Sequence, residues 1–125
     1  MIPAFDTTPL LSNLVTVASG AAQANNAVLA GAQGKTTYLS GFMITGLGAT
    51  SASTIVVTIT GLVGGGTPAF QLSIPAGATI LIAPLEFKPN VPLPASGQNQ
   101  AITVNVPSFG AGNTAACVTA YGFQT

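Results

Sequence analysis

The sequence predicts an all-β protein, a jelly-roll-like antiparallel β-sandwich with an extended N-terminal arm. Three observations support this fold class. Short segments alternate between apolar and polar residues, as half-buried strands do, and the clearest of them is residues 54–62. Fifteen Gly and nine Pro interrupt the chain, which is typical of turns between short strands. No segment has a convincing helical period, so a two-sheet sandwich or jelly roll is the expected architecture.

The chain is expected to divide into an arm, residues 1–13, and one β-sandwich domain, residues 14–125. The arm lacks the alternation of a strand, and Pro3 and Pro9 favour extended backbone. We expect its apolar side chains to contact a neighbouring subunit or a larger assembly; a short edge strand of the same domain is the alternative. Those side chains are Ile2, Phe5, Leu10 and Leu11.

Within the domain, the alternation predicts which side chains face the core. In two clear strands the predicted inward residues are Ile55, Val57 and Ile59, and Ile102, Val104 and Val106. A longer strand is predicted over residues 36–46. Its two predicted faces are Tyr38, Phe42 and Ile44 on one side, and Leu39 and Met43 on the other.

Residues 79–87 differ from the other segments because both of their faces are apolar. A strand of this kind is either central in a sheet or part of an interface. At an exposed edge it would present too much apolar surface, so we expect it to hold copies of the chain together as a homotrimer. The expected interface residues are Ile80, Leu81, Ile82, Leu85 and Phe87.

Only four of the 125 residues carry a formal charge, namely Asp6, Lys35, Glu86 and Lys88. A typical domain of this length would have about thirty. Since the net charge is also zero, little electrostatic repulsion keeps free copies apart. The protein is therefore expected to work with much of its surface covered by copies of itself or by a larger assembly.

The same inventory argues against an enzyme, a cofactor and a metal site. The chain has no His, and its two carboxylates, Asp6 and Glu86, are eighty residues apart, so neither acid–base catalysis nor a cation cage is expected. Cys117 has no His or basic neighbour and is predicted to be a buried, unreactive thiol. Two lysines cannot neutralise a nucleic-acid backbone. No run of about twenty apolar residues suggests a membrane helix.

Carbohydrate binding is an alternative to assembly, because β-sandwich modules bind sugars with aromatic platforms and amide side chains. The candidate residues are Tyr38, Tyr121, Asn99 and Gln100. Each also has a simpler explanation. The tyrosines fit the edge of a core, with hydrated hydroxyls, and the two amides fit a loop.

The cellular location is indicated by an unusual combination of features. The first residues include neither a basic segment nor an uninterrupted apolar one, so no secretory signal is expected. A lone cysteine cannot form an internal disulfide framework. The composition, rich in Thr, Gly and Asn, is nevertheless typical of extracellular β proteins. Virion proteins, which assemble in the host cytoplasm and leave by lysis, combine these features.

Four phrases of the sequence add a family resemblance. They are Ile-Pro-Ala-Gly-Ala-Thr-Ile at 74–80, Leu-Glu-Phe at 85–87, Val-Pro-Ser-Phe-Gly-Ala-Gly-Asn-Thr at 106–114 and Ala-Tyr-Gly-Phe at 120–123. From about residue 36 onward, the chain resembles the head decoration (cement) proteins of tailed bacteriophages. The resemblance implies a homotrimer on the virion surface, with the major capsid protein as its partner. The arm lies outside the resemblance, and its expected contact with a neighbouring subunit or the capsid depends on its apolar side chains alone. A tail or fibre subunit and a sugar-recognising module on the virion surface are the alternatives.

Overall fold

The computed structural model describes residues 12–125, and in this range the protein is all-β. Nine strands are present in the described range: β1 (Ser12–Ser19), β2 (Asn25–Leu29), β3 (Thr36–Gly46), β4 (Ser53–Thr60), β5 (Ala69–Ile74), β6 (Leu85–Phe87), β7 (Leu93–Gln98), β8 (Ile102–Val106) and β9 (Ala116–Gln124). β1 begins inside the predicted arm. The arm residues expected to make contacts, Ile2, Phe5, Leu10 and Leu11, lie outside the described residues.

The strands form two sheets in which all named strand pairs are antiparallel. Sheet 1 has the order β1-β9-β3-β6, and β7 also pairs with β3, beside Tyr38 and Leu39. Sheet 2 has the order β2-β8-β4-β5. Successive strands β1 to β6 therefore pass from one sheet to the other in turn, apart from β4 and β5, which are neighbours in sheet 2. The predicted two-sheet antiparallel architecture is confirmed.

The core lies between the two sheets and is built from the inward faces of their strands. The predicted inward residues of β4 and β8 are buried: Ile55, Val57, Ile59, Ile102, Val104 and Val106. Sheet 1 contributes Phe42, whose ring centroid lies 5.5 Å from that of Phe70 in sheet 2. Burying a side chain of this size contributes about 1.5–3 kcal/mol to folding, so these facing residues hold the sheets together.

The predicted faces of β3 are wrong for Tyr38 and Leu39, which lie before a bulge. Leu39 is buried together with Phe42 and Ile44, whereas Tyr38 lies on the outward face. The register of β3 against β9 shifts between Leu39 and Gly41, so one extra residue changes the phase of the alternation. A simple alternation rule places every side chain before this bulge on the opposite face.

A second difference concerns residues 88–94, which the Pro spacing predicts as an extended connection. β7 already begins at Leu93 and includes Pro94, which pairs opposite Tyr38 at the edge of β3. An edge strand tolerates Pro because the missing N–H does not interrupt a ladder on its free side. The Pro-rich segment bends at Asn90 and Val91, and its end, from Leu93, belongs to sheet 1.

The loops at one end of the sandwich are held by a single buried amide, that of Asn113. Its Nδ2 donates to three carbonyl oxygens, those of Leu47 (2.8 Å), Gly48 (3.2 Å) and Ala115 (3.1 Å). Its Oδ1 accepts a hydrogen bond from the backbone N–H of Ala22. Because irregular backbone at this end has no strand partner for these groups, the side chain satisfies them instead.

Gly122 allows the close packing of the centre of sheet 1. It lies in β9, opposite Leu14 of β1 and Leu39 of β3. A Cβ at this position would overlap the carbonyl oxygen of Tyr38 and come within 3.1 Å of Leu29. We expect Gly122→Ala to lower the free energy of unfolding by about 1–3 kcal/mol, since backbone has to move. Thermal or denaturant unfolding followed by circular dichroism measures this change.

Gly66 provides the matched control for this substitution. It has an extended backbone with φ of −69°, and a Cβ added there meets no atom within 4 Å. Gly66→Ala should leave the stability unchanged or raise it by a few tenths of a kcal/mol. Equal unfolding midpoints for the two variants would contradict the close approach at Gly122.

Candidate interaction surface

The outward face of sheet 1 is apolar and exposed. Alternate residues of β1 and β9 point away from the core, and β3 adds further apolar side chains. Val15 is 71% exposed and Val17 is 58% exposed. We call this surface the apolar face and define it by Val15, Val17, Tyr38, Met43, Tyr121 and Phe123.

The strand register makes the apolar face continuous. Val15 lies opposite Tyr121, whose hydroxyl is close to Gly41 on β3. One step further along, Val17 and Met43 lie on either side of Thr119. Because residues paired across adjacent strands have Cβ atoms about 5 Å apart, these side chains form rows that cross the sheet without a gap.

At the other end of the face, Tyr38 and Phe123 stack across β3 and β9. Their ring centroids are 4.9 Å apart and the planes differ by 14°. One side of the Tyr38 ring is therefore already occupied. A stacked aromatic pair of this kind stabilises the sheet by about 0.5–1.5 kcal/mol beyond its buried area, so Tyr38 has a structural role.

The other residues proposed for sugar binding also have structural explanations. Asn99 adopts a left-handed backbone conformation, with φ of 59°, in the turn that follows β7. Its backbone N–H donates to the carbonyl oxygen of Lys35 at 3.0 Å. Asn tolerates this conformation better than most residues do. Gln100 is exposed beside it, and Tyr121 is half-buried on the apolar face.

Two of the three charged residues in the described range, Glu86 and Lys88, lie at one border of the apolar face, and the third, Lys35, directly precedes β3. Lys88 Nζ is 3.2 Å from Glu86 Oε1, and Glu86 pairs opposite Met43 at the edge formed by β6. This hydrogen bond raises the pKa of Lys88 above its ordinary 10.5, and the charges of Tyr121 and Glu86 add to the effect. The lysine is therefore protonated at neutral pH, and the pair carries no net charge.

The outward face of sheet 2 has a different character. Its centre is polar: Asn105 Nδ2 donates to Thr60 Oγ1 at 3.1 Å and to the carbonyl oxygen of Thr58 at 3.4 Å. Exposed Val28 and Val56 also lie on sheet 2, among these polar residues. The two outer faces of the sandwich thus differ, since Val15 and Val17 on sheet 1 are more exposed than Val28 and Val56, and hydrogen-bonded polar side chains occupy the centre of sheet 2.

The predicted interface segment, residues 79–87, is not one strand. Only Leu85–Phe87 forms β6, and Leu81 makes an isolated bridge with Leu47. Ile82 is 5% exposed and belongs to the core, whereas Leu81 is 76% exposed. Leu85 and Phe87 are half-buried and pack against the core, and Ile80 is exposed. The apolar residues on both faces reflect an irregular segment that contributes to the core and to the surface in turn.

Leu81 and Ile82 also border a groove of about 590 Å³. Its other walls come from residues 52–54, residues 73–75 and Ala83. The groove is mostly lined by Ser, Thr and small apolar groups, with no charged residue among them. It offers weak, non-specific contacts and lacks the convergent polar groups that orient a small ligand.

The prediction that Cys117 is buried is wrong. It lies half-buried on the outward face of β9, with Thr119, Tyr121 and Phe123. From Ala116 to Gly122, the inward residues of β9 are small apart from one valine, namely Ala116, Val118, Ala120 and Gly122. The last inward residue is Gln124, whose Nε2 donates to the carbonyl oxygen of Ala30 and to Thr37 Oγ1. The sequence signal for this arrangement is the alternation of small residues, because small side chains are needed where β9 packs at the centre of the sandwich.

No group of three His, Cys, Asp or Glu residues that could hold a metal ion occurs between Ser12 and Thr125. Over the same range, no helix has the length and apolar character needed to cross a membrane.

Leu81 is exposed and Ile82 is buried, so substitutions at these two residues test the predicted interface segment. Ile82→Ala should lower the free energy of unfolding by about 2–4 kcal/mol, because a buried side chain is lost from the core. Leu81→Ala should change it by less than about 0.5 kcal/mol. Denaturant titrations of the two variants measure both values. A large loss of stability for Leu81→Ala would show that this side chain is covered in solution.

Comparison with known proteins adds no relative to this description. No protein-family model matches the chain, and no curated protein matches it either. The features of the molecule that indicate its function are the apolar face, the polar face of sheet 2 and the distribution of charge.

Proposed function

We propose that this protein is a non-enzymatic structural virion protein, a decoration (cement) protein that binds the exterior of a phage head as a homotrimer. The observation that carries the proposal is the apolar face of sheet 1, in a chain with only four charged residues. A monomer with such a face and no net charge associates readily in water. In a protein that functions within an assembly, neighbouring subunits cover such a surface.

The chemistry of the chain supports binding over catalysis. The sequence has no His and only two carboxylates, of which Glu86 is paired with Lys88 at the surface. Acid–base catalysis needs a group whose pKa and position suit proton transfer. The half-buried thiol of Cys117 has no His to activate it. The proposed function therefore includes no cofactor and no metal.

The proposal includes a jelly-roll classification of the sandwich. The strand orders β1-β9-β3-β6 and β2-β8-β4-β5 support it, because a jelly roll folds two Greek keys into two sheets of four strands. In this description β7 is an addition that pairs with β3 beside β6. The phage-head location is supported by the sequence phrases that resemble decoration proteins.

Experiments can distinguish two alternative functions from this proposal. A tail or fibre subunit would have the same apolar face and would co-purify with tails instead of heads. A sugar-recognising module would bind glycans as the isolated protein, in which case Tyr121 and Gln100 would be the residues to replace. The stacking of Tyr38 on Phe123 and the turn role of Asn99 weaken the sugar alternative.

The test of the proposed function is binding to phage heads that lack the protein. The purified protein should bind at a fixed ratio to the major capsid protein. Because few charges are available, the apparent Kd should change by less than about twofold between roughly 50 and 500 mM salt. Sedimentation of heads with bound protein measures both quantities. Absence of binding to heads, or a steep loss of affinity with salt, would contradict the proposal.

The segment before β1 is proposed to act as a tether to the capsid. Deletion of residues 1–11 leaves β1 complete, since β1 and its pairing with β9 begin at Ser12. The shortened protein should therefore keep its fold, while its affinity for heads falls at least about tenfold, or about 1.4 kcal/mol. The double variant Ile2→Ser/Phe5→Ser should weaken binding in the same direction. The control Thr7→Ser/Thr8→Ser, which keeps the apolar side chains, should not.

Two results of this experiment would reject the tether. If the deletion variant fails to fold, the segment belongs to the domain core. If it folds and binds heads with unchanged affinity, the segment makes no contact with the capsid.

A further inference from the structure

We propose that copies of this chain associate through the apolar face of sheet 1, so that three such faces turn toward a common threefold axis. The inference deepens the proposed function and rests on the homotrimer contained in it. It places the subunit contact on β1, β9 and β3, outside the predicted interface segment at residues 79–87. The contact surface is centred on Val15, Val17 and Met43.

The absence of charge on the apolar face favours a second copy as its occupant. None of the residues that define this face is charged. Glu86 and Lys88 pair with each other at its border, and Lys35 directly precedes β3. About a quarter of the residues of an ordinary protein partner are charged, and a charge pressed onto this face would lose its hydration without gaining a counter-charge. The same face of another copy brings no such charge and is therefore complementary to it.

The dimensions of the face also suit association. β1 pairs with β9 over eight residues, which corresponds to about 27 Å along the strands. The strands β1, β9 and β3 span about 14 Å across when a margin for side chains is included, which corresponds to roughly 400 Å² in projection. Polar Ser19, Thr45 and Thr119 also lie within this area. Its size is within the range of the apolar patches that monomers expose, and it is about half of what one partner contributes to a standard interface, about 800 Å².

The outer edge of β1 extends the same surface. Among the described residues, β1 is the terminal strand of sheet 1, and its eight residues include neither Pro nor charge. Natural proteins usually protect such an edge with charged residues, Pro or a bulge. A neighbouring copy at the threefold axis would cover this edge together with Val15 and Val17. The polar face of sheet 2 would then point outward, where Asn105 and Thr60 meet solvent.

The experiment compares valine-to-lysine substitutions on the two faces of the isolated, full-length protein. Val17→Lys places a charge on the apolar face. Val56→Lys is the matched control, because Val56 is 45% exposed on sheet 2. Leu81→Lys tests the predicted interface segment. Multi-angle light scattering should give three times the 12.3 kDa chain mass for the wild type, Val56→Lys and Leu81→Lys. Val17→Lys should be monomeric at the same concentration, because the dissociation constant of its trimer should be at least about tenfold higher than that of the wild type.

Alkylation of Cys117 supplies a second measurement that needs no variant. This thiol lies opposite Ser19 and Thr45, on the same outward side of sheet 1 as Val17. In the wild type its labelling should be slow at high protein concentration and should accelerate on dilution, as the trimer dissociates. If circular dichroism shows that Val17→Lys is unfolded, this dilution series decides the question.

The proposal is overturned if Val17→Lys remains trimeric, if the wild type is a monomer or a dimer, or if Val56→Lys or Leu81→Lys dissociates the trimer instead. Labelling of Cys117 that is independent of protein concentration also overturns it. None of these measurements uses phage heads. A trimer that forms through sheet 1 and fails to bind heads therefore rejects the decoration function alone, and head binding by a trimer built on another face rejects only this inference.

Discussion

The position of β9 between β1 and β3 is the constraint on which the rest of the structure depends. This strand pairs with β1 along eight residues and with β3 on its other side. Its inward side chains from Ala116 to Gly122 are mostly small, so sheet 1 approaches the core closely, and Gly122 permits the tightest part of that approach. Its outward side chains complete the apolar face. Core packing and the candidate contact surface therefore use opposite sides of one strand.

The sequence allowed prediction where one face of a strand is apolar and the other is polar. In β4, Ile55, Val57 and Ile59 share one face, and the other face is polar apart from Val56, so the first face is the one that is buried. In β3 the bulge near Gly41 depends on pairing with β9, which has no local signal, so Leu39 was placed on the wrong side. β9 has apolar groups on both faces, and size, not hydrophobicity, decides which face turns inward.

The candidate surface was harder to predict than the fold, for a related reason. Val15 and Val17 are residues of the kind that fill core strands. They are exposed because the pairing of β1 with β9 places them on the outward face of sheet 1. Residues 79–87, by contrast, look like an interface in the sequence, but Ile82 enters the core and only part of the segment remains exposed. Hydrophobicity shows that a side chain needs cover and does not show which surface covers it.

The buried amide of Asn113 makes the sandwich sensitive to one slow chemical reaction. Hydrolysis of an asparagine amide to a carboxylate, the common form of protein ageing, would replace its donor with an acceptor. The new oxygen would face the carbonyls of Leu47, Gly48 and Ala115, which now receive hydrogen bonds. Repulsion among these oxygens would release the loops they belong to. The stability of this end of the sandwich therefore depends in part on the chemistry of a single side chain.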